Sequence, residues 1–351
     1  MRALVLSGGA ALGAYEAGVA YALMQAEHFD LVCGTSIGAL NGTLVAQCLR
    51  EELREVWAGV AKVGVTTLRP ELAVLYRIAE RASQVTHLPL ARKIRPLLRM
   101  MSELRHVGRA RHLSQVLSLF PWDPVREMVR THADVAKLES GLIVGVTNLT
   151  RGMASAFYAF PGDDGTVTAA FLGSEPTATP LCAENFVLAV CASAAIPPAF
   201  EPVWIDDRTG KRCAYADGAL TNNTPIRQAI DAGATHVTIV LMDREGLQTQ
   251  DHDIRNMADI GLVGNGVMQN RILDLDLKLL RRINEEVAAG LAPDKRFVDV
   301  RVIGPSAPLQ LRALDFNDQG AIDRVFEMGR TDGTAAAAGP AERETIPPAR
   351  R

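Results

Sequence analysis

The chain is expected to be an α/β protein built on a mainly parallel sheet, and three stretches predict this. Arg2–Leu6 is a short apolar run that enters a glycine-rich loop, Ser7–Gly13, followed by a helical pattern from about Ala14 to Glu27. Asp30–Cys33 is a second apolar strand that runs directly into Gly34-Thr35-Ser36-Ile37-Gly38 and then into a helix of small and apolar residues, Ala39–Leu49. His236–Met242 is a near-continuous apolar strand, the pattern of a strand buried on both faces. A strand, a helix and a second strand in succession form a βαβ unit, and parallel strands joined by helices imply an α/β architecture.

The remaining elements are predicted in chain order. Residues 51–140 read as a mostly helical insertion interrupted by Pro70, Pro89, Pro96, Pro121 and Pro124. Within it, Leu90, Ile94, Leu97, Leu98, Met101 and Leu104 recur at helical spacing, opposite Arg92, Lys93, Arg95, Arg99 and Arg105. Such a helix either lies on an anionic membrane or turns its apolar face to the core, with a solvated basic face. Strands are expected at Leu142–Thr147, Ala154–Phe160 and Val167–Leu172, then a helix over Cys182–Ala194 that ends at Pro197. Two more strands, Phe200–Ile205 and Arg212–Tyr215, lead to Asp217-Gly218-Ala219 and a helix to about Ala232. A long helix spans 254–289, a last strand Phe297–Ile303, and a closing helix Asn317–Ala337. No linker splits the chain, so residues 1–337 are expected to form one domain, and 338–351 a disordered tail.

Composition narrows the function classes. The 351 residues carry 37 Lys and Arg against 40 Asp and Glu, a net charge of −3, so nothing global suggests nucleic acid. Five cysteines without a CxxC pair predict reduced thiols rather than a disulfide or zinc framework. The opening apolar run, Ala3–Leu6, is too short for a signal peptide or a membrane span. The expectation is a cytoplasmic protein whose membrane contact, if any, is peripheral and at the inner surface. The glycine loop does not fit nucleotide either. A dinucleotide fingerprint needs glycine where Ala10 stands and an acid after the second strand, and no GK[ST] is present for a P-loop.

Ser36 is the residue that carries chemistry. A serine between two glycines at a strand-to-helix switch is the sequence of a nucleophile elbow, and the following helix aims its positive end at the same point. The loop at Ser7–Gly13 leaves the end of a neighbouring strand, and its backbone amides can grip an anion. Both loops face the crevice where open α/β sheets bind ligands. Serine needs a base. Of the seven histidines, His28 and His236 fall at the wrong ends of strands, and His87, His106, His112 and His132 fall in the insertion. His252, in a polar loop, is the one histidine placed to complete a triad. Asp217, after a strand and before Gly218, is the other candidate base, although Asp-Gly alone is also an ordinary turn.

Four blocks taken together resemble the patatin-like phospholipases: Ser7–Gly18 (SGGAALGAYEAG), Gly34–Gly38 (GTSIG), Ala192–Phe200 (ASAAIPPAF) and Asp217–Ala219 (DGA) with Asn222–Pro225 behind it. The resemblance covers roughly residues 1–50 and 140–245 and extends loosely to the C-terminal helices. It implies a three-layer α/β/α fold around a mainly parallel sheet, with the helical insertion after the nucleophile helix. It also implies a Ser–Asp dyad without histidine, in which Ser36 is the nucleophile and Asp217 the base. The amides of Gly8, Gly9, Ala10 and Ala11 would form the oxyanion hole, with Gly13, Gly34, Gly38 and Gly218 supporting the motifs. The implied activity is calcium-independent serine lipid acyl hydrolysis of phospholipase A or lysophospholipase type, on membrane or micellar lipid, with no metal, cofactor or nucleotide. A transacylase or thioesterase using the same dyad, and a weakly catalytic lipid-binding protein, are the alternatives. Two positions depart from the family loop: its third glycine is Ala10 here, and its basic residue is Leu12.

Overall fold

A computed structural model describes residues 1–67, 69, 118–197, 199–242 and 257–339. The basic helical pattern at 90–105, His87, His106, His112, His252 and the tail beyond residue 339 lie outside the described residues.

The described residues form one nine-stranded sheet. Its main path runs from β5 (Thr179–Pro180) through β4 (Met153–Ala159), β3 (Gly141–Asn148), β2 (Leu31–Thr35), β1 (Arg2–Leu6) and β8 (His236–Val240) to β9 (Asp299–Ile303). From β3 through β9 the neighbours on this path are parallel. Two strands stand off this path, β6 (Val203–Asp206) and β7 (Arg212–Asp217), and both pair antiparallel. Successive side chains of a strand point to opposite faces. Leu4 and Leu6 of β1 accordingly enter one apolar core, while Ala3 and Val5 enter the other.

Helices cover both faces, which gives the three layers. One layer comprises α1 (Gly13–Ala26), α2 (Ile37–Ala46), α3 (Arg50–Val63), α4 (Asp123–His132), α6 (Phe186–Ser193) and α9 (Gln319–Ala338). The other holds α5 (Thr166–Ser174), α7 (Ile226–Asp231) and α8 (Met257–Ala288). No helix among the described residues is long and apolar enough to cross a membrane.

Most expected elements lie where the patterns put them, and one changes type. Val167–Leu172 is helix, part of α5, not strand. Thr166, Val167 and Thr168 are all β-branched, which imitates a strand. The carboxylates before them decide otherwise. Asp163 accepts the amides of Val167 and Thr168 at 3.0 and 2.9 Å, and Asp164 accepts that of Thr166 at 3.0 Å. These bonds satisfy amides that a helix start leaves free, so the segment begins as a capped helix. The strand expected from Phe200 starts only at Val203, because Phe200 still bonds back to Ile196 and Pro202 has no amide to donate. The helix expected from Cys182 starts at Phe186.

The closing helix α9 lies unusually near α1. A Cβ on Gly329 would collide with the Tyr15 carbonyl oxygen, and one on Gly18 with that of Phe326. Backbone thus meets backbone at this crossing, and Tyr15 adds a 3.0 Å bond from its hydroxyl to Asp332. We expect Gly329→Ala to force the helices apart and cost about 1–3 kcal/mol of stability. Denaturant unfolding monitored by circular dichroism measures this, and an unchanged midpoint would contradict the packing.

Candidate active site

Strand β3 is longer than its neighbour β2, and that difference assembles the site. Its first half pairs with β2 as far as Thr35 opposite Gly145. There the chain leaves β2 for the elbow, and the vacated edge of β3 is taken by β7 running the other way, with Asp217 opposite Val146. The two strands therefore meet end to end on one edge, and Ser36 follows one tip while Asp217 forms the other. Ser36 Oγ donates to Asp217 Oδ2 at 2.7 Å, and both residues are buried.

The elbow is held in a strained conformation. Ser36 has φ 57° and ψ −126°, a region that costs a residue with a side chain on the order of 1–3 kcal/mol. The turn closes so tightly that a Cβ on Gly34 would strike the Gly38 carbonyl, and one on Gly38 would lie 2.5 Å from Leu6 O. Only hydrogen fits at either place.

Ser193 holds that strain, a role the sequence analysis did not assign. Its hydroxyl accepts the Ser36 amide at 2.8 Å and donates to Gly145 O at 2.6 Å. Two residues on, Ala195 O accepts the amide of Asp217 at 3.0 Å. The turn after α6 thus fastens both members of the pair. A sign was present in FVLAVCAS, where a serine ends an otherwise apolar helix and must find partners if it is buried.

The glycine loop lies against Ser36, since a Cβ on Gly8 would come within 3.0 Å of Ser36 Cβ. Its four expected donors differ in availability. The Gly8 amide bonds Asn223, to O at 3.2 Å and to Oδ1 at 3.1 Å, while Asn223 Nδ2 donates back to Gly8 O at 3.2 Å. The Ala11 amide bonds Ala313 O at 2.9 Å. Among the described residues, the amides of Gly9 and Ala10 have no protein acceptor. Ala10 sits at φ 53°, where an alanine costs on the order of 1 kcal/mol relative to glycine.

A buried polar group backs this loop. Asn41 Nδ2 donates to Gly13 O at 3.1 Å and to Glu16 Oε2 at 3.0 Å, and its Oδ1 accepts Trp57 Nε1 at 2.9 Å. Burial pushes the Glu16 carboxyl well above the usual carboxylate range, against the opposing bond from Asn41. Asn41 and Trp57 thereby join α1, α2 and α3 behind the loop.

Electrostatics distinguish Asp217 from an ordinary surface carboxylate. Burial raises its pKa to about 7, opposed by the bonds from the Ser36 hydroxyl and the Ala219 amide, the latter at 2.8 Å. Among the described residues no histidine bonds Ser36 or Asp217. Beside Ser36 opens an apolar cavity, walled by Ala10, Ile37, Leu40, Trp57, Val60, Phe120, Trp122, Val129, Phe200 and Phe316 among others. Helices α3 and α4, from the two ends of the expected insertion, form much of this wall.

The family model of the patatin-like phospholipases matches residues 4–230. The chain belongs to this family. A patatin-like phospholipase domain-containing protein of Chaetomium globosum is 40% identical over 76 residues, which are 21% of this chain and 9% of that relative. The chain thus matches about a tenth of that relative's length. Among solved structures, VipD from Legionella pneumophila aligns over 96% of this chain and 66% of its own, with 14% identity and a TM-score of 0.35. The patatin-like match ends inside α7, so β8, α8, β9 and α9 lie beyond it even though β8 completes the parallel sheet beside β1.

The raised pKa of Asp217 has a consequence for stability. The folded protein holds a proton there that the unfolded chain releases, so between an ordinary carboxylate's 3.8 and about 7 stability declines as pH rises. Relative to Asp217→Asn, the wild type should therefore lose stability across that window and level off above it. Thermal unfolding of the two proteins across pH checks this, and parallel curves would contradict a proton-holding Asp217.

Proposed function

We propose that this protein is a serine lipid acyl hydrolase, cleaving fatty-acyl esters of the phospholipase A or lysophospholipase type through a Ser36–Asp217 dyad. The observation that carries the reading is the 2.7 Å bond from Ser36 Oγ to a buried carboxylate at the mouth of an apolar cavity. Membership of the patatin-like phospholipase family supports lipid ester as the substrate class.

The chemistry proceeds in two halves. Ser36 Oγ attacks the ester carbonyl carbon as its proton passes to Asp217 Oδ2, and the carbonyl oxygen becomes an oxyanion. The unbonded amides of Gly9 and Ala10 are the donors for that oxygen, and the N-terminus of α2 adds its positive end. Collapse expels the alcohol, which takes the proton from Asp217 and leaves an acyl group on Ser36. Water then attacks the acyl-enzyme, losing a proton to Asp217 as it does so. The fatty acid leaves, and Ser36 recovers its hydrogen. A carboxylate with a pKa of about 7 is a far better proton acceptor than an exposed aspartate, which answers the absence of imidazole in this pair. The apolar walls receive the acyl chain and exclude competing water from the buried pair.

Ser36→Ala should lower turnover of a phospholipid or p-nitrophenyl ester by about 10⁴-fold or more. A fluorophosphonate probe should label the wild type at residue 36 and fail on this variant. Undiminished ester cleavage by Ser36→Ala would rule the mechanism out. Since the base must be ionised, kcat/KM should rise with pH through a pKa near 7 and then level off. A pH–rate profile already flat from pH 5 upward would exclude Asp217 as the base.

A further inference from the structure

The Ser36 chemistry leaves one buried acid unused. Glu16, in the first turn of α1, is wholly buried. Helical side chains lean toward the N-terminus, and this one reaches back to where the Ser7 main-chain amide favours its charged form. At the other end of the glycine loop, Gly13 O accepts Asn41 Nδ2, which also donates to Glu16 Oε2 at 3.0 Å. Asn41 has only one usable orientation. Its Oδ1 accepts Trp57 Nε1, a group that can only donate, so both Nδ2 protons go to Gly13 O and Glu16. The group at position 16 must therefore be an acceptor.

Its surroundings decide its charge. Oε1 has no hydrogen-bond partner among the described residues. Residues 3–12 and α2 carry no charged side chain. On α3, Arg50 and Glu51 meet Tyr21, further along α1. On α9, Asp332 meets the Tyr15 hydroxyl, and Arg330 pairs with Glu327. The other charged residues of α3 and α9 are half or fully exposed. A carboxylate with one bare oxygen and no cation is too unfavourable to bury, so this acid keeps its proton. Burial pushes it in that direction.

We propose that Glu16 is a positioning residue: as a neutral acid it fixes Asn41, and through it the loop whose Gly9 and Ala10 amides receive the oxyanion. The inference rests on the acyl-hydrolase reading above and adds a residue to that site. Neutrality matters because an anion behind the loop would repel the charge that develops on the substrate oxygen. A protonated carboxyl gives Asn41 its acceptor without that charge.

The test compares Glu16→Gln with Glu16→Met, both close in volume to the native side chain. Glutamine keeps a neutral acceptor and should hold kcat within about twofold of the wild type. Methionine offers Asn41 no comparable acceptor and should lower kcat on a p-nitrophenyl ester by about 100-fold, the scale of a 1 Å misplacement. KM should stay unchanged, since the cavity walls are intact. Fluorophosphonate labelling of Ser36 should slow with methionine and recover with glutamine. At about pH 9, with Asp217 ionised, the infrared difference between wild type and Glu16→Gln should show the carbonyl stretch of one protonated carboxyl. Should Glu16→Met not fold, Asn41→Leu removes the same bond from the other partner and is read in the same way. A folded variant lacking that bond with wild-type kcat, a Glu16→Gln as slow as Glu16→Met, or a difference spectrum without the band overturns this role and leaves the acyl-hydrolase reading intact. A wild type that neither cleaves any ester nor takes a fluorophosphonate at Ser36 overturns that reading, and the role of Glu16 with it.

Discussion

The site depends on one edge of strand β3. Because β3 outlasts β2, a single row of main-chain donors and acceptors serves two strands in turn, parallel up to Thr35 and antiparallel from Asp217. That arrangement brings two residues 181 positions apart into hydrogen-bond contact without a long flexible loop. Gly145 marks the join. Its carbonyl receives the Ser193 hydroxyl, a side chain there would press on Thr35, and Gly218 can pass beside it only because it has no Cβ. Each of these contacts is main-chain to main-chain or ends on a main-chain atom. The backbone at both strand tips is therefore fixed, and the rotamers of Ser36, Asp217 and Ser193 complete the arrangement.

Unfavourable terms are concentrated in the same place. Ser36 and Ala10 both have positive φ, and Asp217 is a carboxylate taken out of water. A fold tolerates such features where the surroundings over-determine them. Here the surroundings are specific: Ser193 and Ala195 on one side, Asn223 and Ala313 on the other, and the Asn41 cluster behind. In the proposed mechanism the strained hydroxyl and the buried acid are also the two features that would make the pair reactive. Stability and the proposed chemistry would then pull against each other at these residues.

In the proposed reading, the helical layer over this face would serve the substrate as well as the core. Helices α2, α3, α4 and α6 do not close completely over the elbow, and the space between them is lined almost wholly by carbon. Trp57 belongs to both roles, with its ring on the cavity and its indole nitrogen bonded to Asn41 behind the glycine loop. The walls that would hold a chain and the donors that would hold an oxyanion are thus parts of one packed unit.

Local sequence was enough for the elements whose physics is local. The apolar runs at Arg2–Leu6 and His236–Val240, the glycine-flanked Ser36 and the helix after it announce themselves through hydrophobic period and backbone sterics. Local pattern misread Thr166–Ser174, where two aspartates just upstream outweighed β propensity. It named Ser36 and Asp217 separately but had no means to join them, since an Asp-Gly dipeptide is in itself only a turn. Ser193 and Asn223 were harder still, because their roles consist of bonds to main-chain atoms far away in sequence. The cavity is purely tertiary, being the space left where four helices from distant segments fail to meet. Composition and periodicity determine which strands and helices can form. Which hydroxyl meets which carboxylate follows from the unequal lengths of adjacent strands, and that inequality appears only once the sheet is assembled.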